Sequence, residues 1–350
     1  MECGALRSLV HARGLQQLRL QTTGPPKSSQ RVQVRRNLQV RAVSTESTTS
    51  RGLRGRREEN VDGDLYVDRS CIDCDTCRWM APEIYSRVGE QSVVHKQPAT
   101  PEERLRALQA LVSCPTGSIR TLTPSKDVLQ AQETFPLCID EDLPGVYHCG
   151  FHSDKSFGAA SYFIQRPEGN ILVDSPRFNE RLAKRLETMG GVKYMFLTHK
   201  DDVCDHKKWK KRFNLTRFIH KMEVQRNTED VEVKLEGTGP WNLGSDIEMI
   251  FTPGHSPAHV VLLLKDRRAL FTGDHMGASM NNEIFIDQVH NWYSVEEQAK
   301  SYELLLPKDF LWVLPGHWRR YKFQDLEDKN TWIRKAVADA RGVTNYGRYN

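Results

Sequence analysis

Cys71, Cys74 and Cys77 stand in the run CIDCDTC with two residues between each, and a fourth cysteine, Cys114, is followed at once by Pro115. Iron in a 4Fe-4S cluster takes four thiolates, and a tight loop lets three converge on one face while the fourth arrives from elsewhere in the chain. Pro115 ends the helical stretch PEERLRALQALVS and turns the chain away, which leaves Cys114 free for that task. A structural zinc site, or four packed thiols, are the alternatives open to the same residues. With eight cysteines in 350 residues, a disulfide framework does not fit. The spacing therefore predicts a cluster and the carriage of electrons.

A second set of chemistry-bearing residues lies further on, each just after a run that reads as a strand, where loops present side chains on a rigid scaffold. The runs are NILVDSP with Asp174, FLTHKDDVCDH with His199, FTPGHSPAH with His255, LFTGDH with Asp274 and VLPGHW with His317. A lone histidine at a strand end is usually structural, but five such runs in order point to one cleft. Gly254, Gly273 and Gly316 directly precede His255, Asp274 and His317, so the backbone can turn sharply at each.

Strands and helices must position these residues. From Ala159 onward short β-rich runs (SYFIQRPEGNILV, KYMFLT, VEVKLEG, IEMIFTPG, HVVLLLK, ALFTGD) are interspersed with helical stretches (FNERLAKRLETM, VEEQAKSYELLL, NTWIRKAVADA), which argues for layered packing. Before them, TPSKDVLQAQETFPLCIDEDLPGVYHCG is polar and broken by prolines, and reads as a linker running into the first strands. Cys138 and Cys149 lie in it and read as packed thiols. No apolar run approaches the roughly 20 residues that cross a bilayer.

On the residues quoted, the segment from Asp64 to Leu122 resembles single-cluster bacterial-type ferredoxins, with VDRSCIDCDTCRWMAPEIYSR as the opening and CPTGSI as the close. The order of the five later runs resembles the metallo-β-lactamase superfamily from Ser161 to about Trp318. Together these resemblances imply an α+β chain of two domains, a small ferredoxin-like domain at 58–125 and an αββα metallo-β-lactamase sandwich at 151–350, joined through 126–150. The second resemblance implies one or two metal ions, iron, zinc or manganese, held by His199, His255, Asp274 and His317. Asp274 would bridge two ions, and Asp174 would orient the loops rather than bind metal.

The second motif departs from that family. Its members usually carry His-x-His-x-Asp-His, whereas this chain reads His199-Lys200-Asp201-Asp202-Val203-Cys204-Asp205-His206. Two residues turn a helix by about 200°, so Asp205 and His206 do not replace the family pair, and the expectation is that one metal position is lost. Asp201 reads as a ligand and, with Asp274, as a catalytic group, its carboxylate moving preference toward iron or manganese. Diiron members of the superfamily also carry a carboxylate there, although Val203 stands where they have a further acid. Capping of the next helix is the structural alternative for Asp201 and Asp202. His259 and His275 are expected to orient ligands. His220, after a strand, is a further candidate for the cleft. The basic run HKKWKKRF reads as a solvated helix face with Trp209 and Phe213 turned inward, or as a docking patch for an acidic electron-donor protein.

The formal charge of +5 is uneven. Residues 1–57 hold 12 Lys and Arg against two Glu, and the remainder holds 38 basic against 43 acidic residues, which excludes the electrostatic footprint of nucleic-acid binding. The leader is rich in Arg, Ser and Thr and resembles a chloroplast transit peptide, with cleavage expected near Val40-Arg41-Ala42 before Val43 and a stromal location; a mitochondrial leader is the alternative. A cluster joined to a metal site predicts an oxidoreductase acting on a small molecule. A metallohydrolase of the thioesterase or glyoxalase kind, with a structural or sensing cluster, and a non-catalytic electron carrier with a degenerate second site are the other readings.

Overall fold

The computed structural model describes residues 55–342 apart from Ser125. The expected transit peptide and its cleavage point lie outside the described residues. Arg56 and Arg57, assigned to the leader, are built into the first domain. Arg56 bridges to Asp68, and the buried Arg57 guanidinium donates to the carbonyls of Ser92 (2.9 Å) and Val88 (3.0 Å).

The first domain pairs strands Leu65–Val67 and Ile119–Thr121 antiparallel, beside a hairpin of Tyr85–Val88 and Gln91–Val94. Its long helix, Pro101–Ser113, starts where the sequence sets it. Thr100 caps the Glu103 amide at 3.2 Å, Glu103 reaches back to the Ala99 amide at 2.7 Å, and Pro101 fills the first turn, where no amide donor is needed.

The second domain is the expected αββα sandwich. A seven-stranded sheet runs in spatial order Val233–Leu235, Thr216–His220, Tyr194–Phe196, Ile171–Val173, Tyr162–Ile164, Val146–His148, Leu137–Cys138. A six-stranded sheet runs Trp241–Leu243, Ile247–Phe251, Val260–Leu264, Ala269–Gly273, Trp312–Pro315, Tyr321–Lys322. Strand alternation decides the layers. Tyr162, Ile164, Ile171 and Val173 face the other sheet and meet Leu262, Phe271 and Leu314. Their neighbours Phe163 and Leu172 face outward onto Leu182, Leu186 and Trp209 of helices Glu180–Thr188 and His206–Phe213. On the far side Val261, Leu263 and Val313 pack under helices Val295–Leu305 and Leu326–Gly342.

The stretch 126–150 is more than a linker. It forms the helix Asp127–Glu133 and contributes the two strands at one edge of the larger sheet. Cys149 is buried as expected, whereas Cys138 is exposed on the edge strand. Leu108 and Val112 of the cluster domain share one core with Ala131, Phe135 and Phe151. The two domains are therefore packed against each other and not merely tethered.

His148 and His152 lie buried at this junction, with their Nε2 atoms 2.8 Å apart. Burial, reinforced by Arg320, pushes His152 down to about 3 and His148 well below its usual value. The folded state thus keeps them neutral while an unfolded chain takes up protons near pH 6.5. Stability must therefore fall as pH falls below about 6.5, by about 1.4 kcal/mol per unit from His152 down to about pH 3, with His148 adding to the fall in the same direction. Thermal unfolding followed from pH 7 to pH 5 is expected to show a falling Tm, and His152→Phe is expected to flatten part of that fall.

Candidate metal centre and cluster pocket

Cys71, Cys74, Cys77 and Cys114 line one pocket together with Ile72 and Pro115. The loop reaches this shape through two left-handed residues, Asp73 at φ 60° and Asp75 at φ 63°. Such conformations are costly outside glycine, and Arg78 holds both in place. Its guanidinium lies 2.6 Å from each carboxylate and 2.7 Å from Ser92 Oγ. The Ser92 amide donates to Cys71 Sγ at 3.4 Å and the Ser118 amide to Cys114 Sγ at 3.3 Å, contacts that favour electron-rich sulfur. Burial pushes the Cys74 thiol up to about 12 and Cys77 well above its usual range, so bare thiolates would be unfavourable here. A positively charged iron centre removes that penalty, and the four residues fit a 4Fe-4S cluster.

The second site forms where both sheets end. Ile171–Val173 runs parallel to Tyr194–Phe196, and Ala269–Gly273 parallel to Trp312–Pro315, so the loops that follow them emerge at one edge. Asp274 sits at the centre. Its Oδ2 is 3.8 Å from His199 Nε2 and 3.7 Å from His255 Nε2, and its Oδ1 accepts from His317 Nδ1 at 2.7 Å. Two groups of donor atoms share this carboxylate: His199, His255 and Asp274, and Asp202, Asp274 and His317. His199 Nε2, His255 Nε2, His317 Nε2 and both Asp202 oxygens are buried without a hydrogen-bond partner. Orphaned polar atoms of this kind are expensive unless something binds them, and this donor set fits one or two metal ions.

Asp202 is where the structure departs most from expectation. Capping does not explain it, because the helix begins four residues later, at His206. The expected loss of one metal position does not follow either, since Asp202 supplies the buried acid of the second group. The HKDD turn brings position 202 inward, so the acid arrives one residue before Val203. Asp201 is 44% exposed at the mouth, its Oδ2 3.7 Å from His199 Nε2. As argued from spacing, Asp205 and His206 stay away. Asp205 accepts from the Phe178 amide, and His206 contacts Arg217 Nη1 and the Asn227 carbonyl.

Asp174 acts on the loops, not on the donor groups. At φ 55° it accepts from the Thr198 amide (2.9 Å) and hydroxyl (3.0 Å), and Thr198 Oγ1 lies 3.0 Å from His199 Nδ1. Burial raises Asp174 to about 7 and lowers His199 to about 3, which keeps the His199 ring neutral and able to coordinate. For Asp274 burial opposes ionisation, yet His317, through its charge and its hydrogen bond, outweighs it and holds the carboxyl far below the usual range.

The strand-end pattern did not single out Glu223. Its buried carboxylate accepts from the Lys200 amide (3.2 Å) and the Ala258 amide (2.9 Å), tying the HKDD loop to the His255 loop. The signal was the acid in RFIHKMEV, three residues past His220. His220 itself stays out of the cleft, bonded to the Gly237 carbonyl (3.0 Å) and the Met222 amide (3.2 Å). His259 stacks on His199 at 5.0 Å and lies 5.6 Å from His275, which suits the orienting role expected of both. Trp209 is fully buried as expected, and Lys207, Lys208, Lys210 and Arg212 of its helix are ion-paired to the chain's own acids, which weakens the case for a docking patch.

Comparison with known proteins agrees with this division. Residues 67–121 match the family model of the 4Fe-4S single cluster domain of ferredoxin I, and residues 156–317 match that of the metallo-beta-lactamase superfamily. One chain thus carries both domains. A curated relative, "Probable metallo-hydrolase YybB" of Bacillus subtilis (strain 168), is 29% identical over 149 residues, covering 37% of this chain and 68% of the relative. Among solved structures, DIM-1 metallo-beta-lactamase is similar with a TM-score of 0.45 at 16% identity, over 57% of this chain and 96% of that one. TTHA1623 in a di-iron-bound form gives a TM-score of 0.40 at 18% identity, over 50% of this chain and 93% of that one.

Two substitutions test the sites separately. Arg78→Ala leaves Asp73 and Asp75 unclamped, and faster loss of the cluster's visible absorbance in air is expected. A Cβ on Gly316 would lie 2.8 Å from Asp202 Oδ2 and 3.0 Å from Asp274 Oδ1. Gly316→Ala is expected to weaken metal binding at the second site about tenfold or more, roughly 1.4 kcal/mol. Elemental analysis with acid-labile sulfide should show the cluster unchanged in that variant.

Proposed function

We propose that the chain is a metal-dependent oxidoreductase in which the 4Fe-4S cluster exchanges single electrons with the metal site of the second domain, acting on a small molecule. The observation that carries this reading is one loop. Gly158 packs so closely on Cys74 that an added Cβ would lie 2.8 Å from Cys74 Cβ and 3.1 Å from its Sγ. The preceding residue, Phe157, places its ring 6.4 Å from that of His317. Adjacent residues thus touch a cluster ligand and a residue of the metal centre. Hydrolysis alone would need no such proximity.

In this reading Cys71, Cys74, Cys77 and Cys114 hold the cluster, and His199, His255, Asp274, Asp202 and His317 hold the metal. Two carboxylates, Asp202 and Asp274, join three imidazoles in the donor set, a mix that suits iron or manganese as well as zinc. The metal supplies Lewis acidity and, if iron or manganese, one-electron redox capacity. Asp201, half exposed and raised by burial, is placed to accept a proton from a substrate at the mouth. Electrons enter or leave singly through an external one-electron carrier protein. The leader's composition supports a plastid stroma, with the mitochondrion as alternative. Among the described residues no helix is long and apolar enough to cross a membrane.

Similarity to a protein described as a probable metallo-hydrolase favours a second reading, a hydrolase whose cluster is structural or sensing. Iron, zinc, manganese and sulfide are measured on protein purified without oxygen, then reoxidation of the reduced cluster is followed. More metal than the cluster requires, and slower reoxidation in His255→Ala, are the expected results. Turnover of a thioester panel unchanged in Cys74→Ala would move the assignment to the hydrolase, and about four iron with four sulfide and nothing more would leave an electron carrier.

A further inference from the structure

The second domain sends two buried histidines to the cluster pocket that neither site uses as ligands. His148 ends the strand Val146–His148, and His152 lies in the loop that follows. His148 Nε2 is 2.8 Å from His152 Nε2, His152 Nδ1 is 3.1 Å from Thr76 Oγ1, and the free Cys74 thiol donates to Thr76 Oγ1 at 3.4 Å, a direction that must reverse once iron takes the place of the thiol proton. Both rings are only 1% exposed. Trp79 and Phe135 stand 5.2 Å and 6.1 Å from the His148 ring, and Arg320 lies over Trp79 at 4.6 Å.

These surroundings keep both imidazoles neutral. A neutral imidazole has one donor nitrogen and one acceptor nitrogen, so a chain through two of them must run in a single direction. Either the donors point toward Cys74 or they point away. A sulfur bound to iron carries no proton and can only accept, and the cluster with its four thiolates is net negative. The direction that satisfies it is His148 Nε2–H to His152 Nε2, His152 Nδ1–H to Thr76 Oγ1, and the Thr76 hydroxyl to Cys74 Sγ. Successive hydrogen bonds polarise one another, so the far members strengthen the last. Donors on a cluster sulfur stabilise the reduced, more negative state and raise its potential.

We propose that His148, His152 and Thr76 form a polarised donor chain ending on Cys74 Sγ, through which the second domain sets the reduction potential of the cluster. The electron comes from an external reductant, and the protons stay on the two histidines and Thr76. Thr76 and the histidines are positioning residues acting on a ligand. The inference rests on the cluster being bound and is independent of the reaction at the other metal site.

Full-length protein with its cluster reconstituted without oxygen is titrated with dithionite, and the midpoint potential is read from visible absorbance and electron paramagnetic resonance. Thr76→Ser keeps the hydroxyl and should retain the native midpoint. Thr76→Val, nearly the same shape, should lower it, and His152→Leu should lower it by a smaller amount, with iron and sulfide content unchanged in all three. Native midpoints in both Thr76→Val and His152→Leu, with the cluster intact, would overturn the proposal. Lowered midpoints with hydrolysis unaffected would uphold the chain while removing the oxidoreductase reading. Native midpoints with reoxidation still dependent on His255 would do the reverse.

Discussion

Everything at the second site depends on keeping Asp274 ionised where there is almost no water. Burial pushes a carboxyl toward its neutral form, and here His317 works against it, through its charge and a 2.7 Å hydrogen bond, while the neutral His199 and His255 rings turn their Nε2 atoms toward the same carboxylate. The backbone must yield for this arrangement to exist. Gly273 adopts φ 47°, and a Cβ there would collide with Thr198 Oγ1. Gly316 leaves the space through which Asp202 approaches from the opposite sheet. The charge at the centre therefore dictates glycine at two strand ends and, through Asp174 and Glu223, the shape of the loops around it.

The same economy of space links the two domains. Leu108 and Val112 of the first domain complete a core that contains Phe163, Leu172 and Trp209 of the second. Arg319 reaches Asp75 at 3.3 Å, beside two of the cluster cysteines. Close packing of this kind fixes the distance between cluster and metal site, in contrast to a flexible tether, which would sample many separations. The proposed electron exchange and hydrogen-bond tuning would both draw on such a fixed separation.

The shape of the cluster loop shows how local and distant contacts combine. Its cysteine spacing is a local property, but its left-handed aspartates persist only because Arg78 is buried between them and Ser92 from the neighbouring hairpin completes the cage. His259 and His275 show the same dependence at the metal site. Their places beside motif residues hinted at an orienting role; His259 stacks on His199, and His275 backs the His259 ring.

Residue type and near-neighbour spacing alone singled out Cys71, Cys74, Cys77 and Cys114 as a candidate ligand set and showed the order of the strand-end motifs. Helix starts such as Thr100-Pro101 were equally legible, since capping is local chemistry. Tertiary structure decided the rest. Whether Asp202 caps a helix or joins the metal site depends on where the helix begins and which way a four-residue turn folds, and spacing fixes neither. His220 and Glu223 stand three residues apart after one strand, yet only packing against the His255 loop turns the acid inward and leaves the histidine bonded elsewhere. His148 and His152 had no motif because their partner, Thr76, is more than 70 residues away, and a hydrogen bond of that span exists only once the domains have packed.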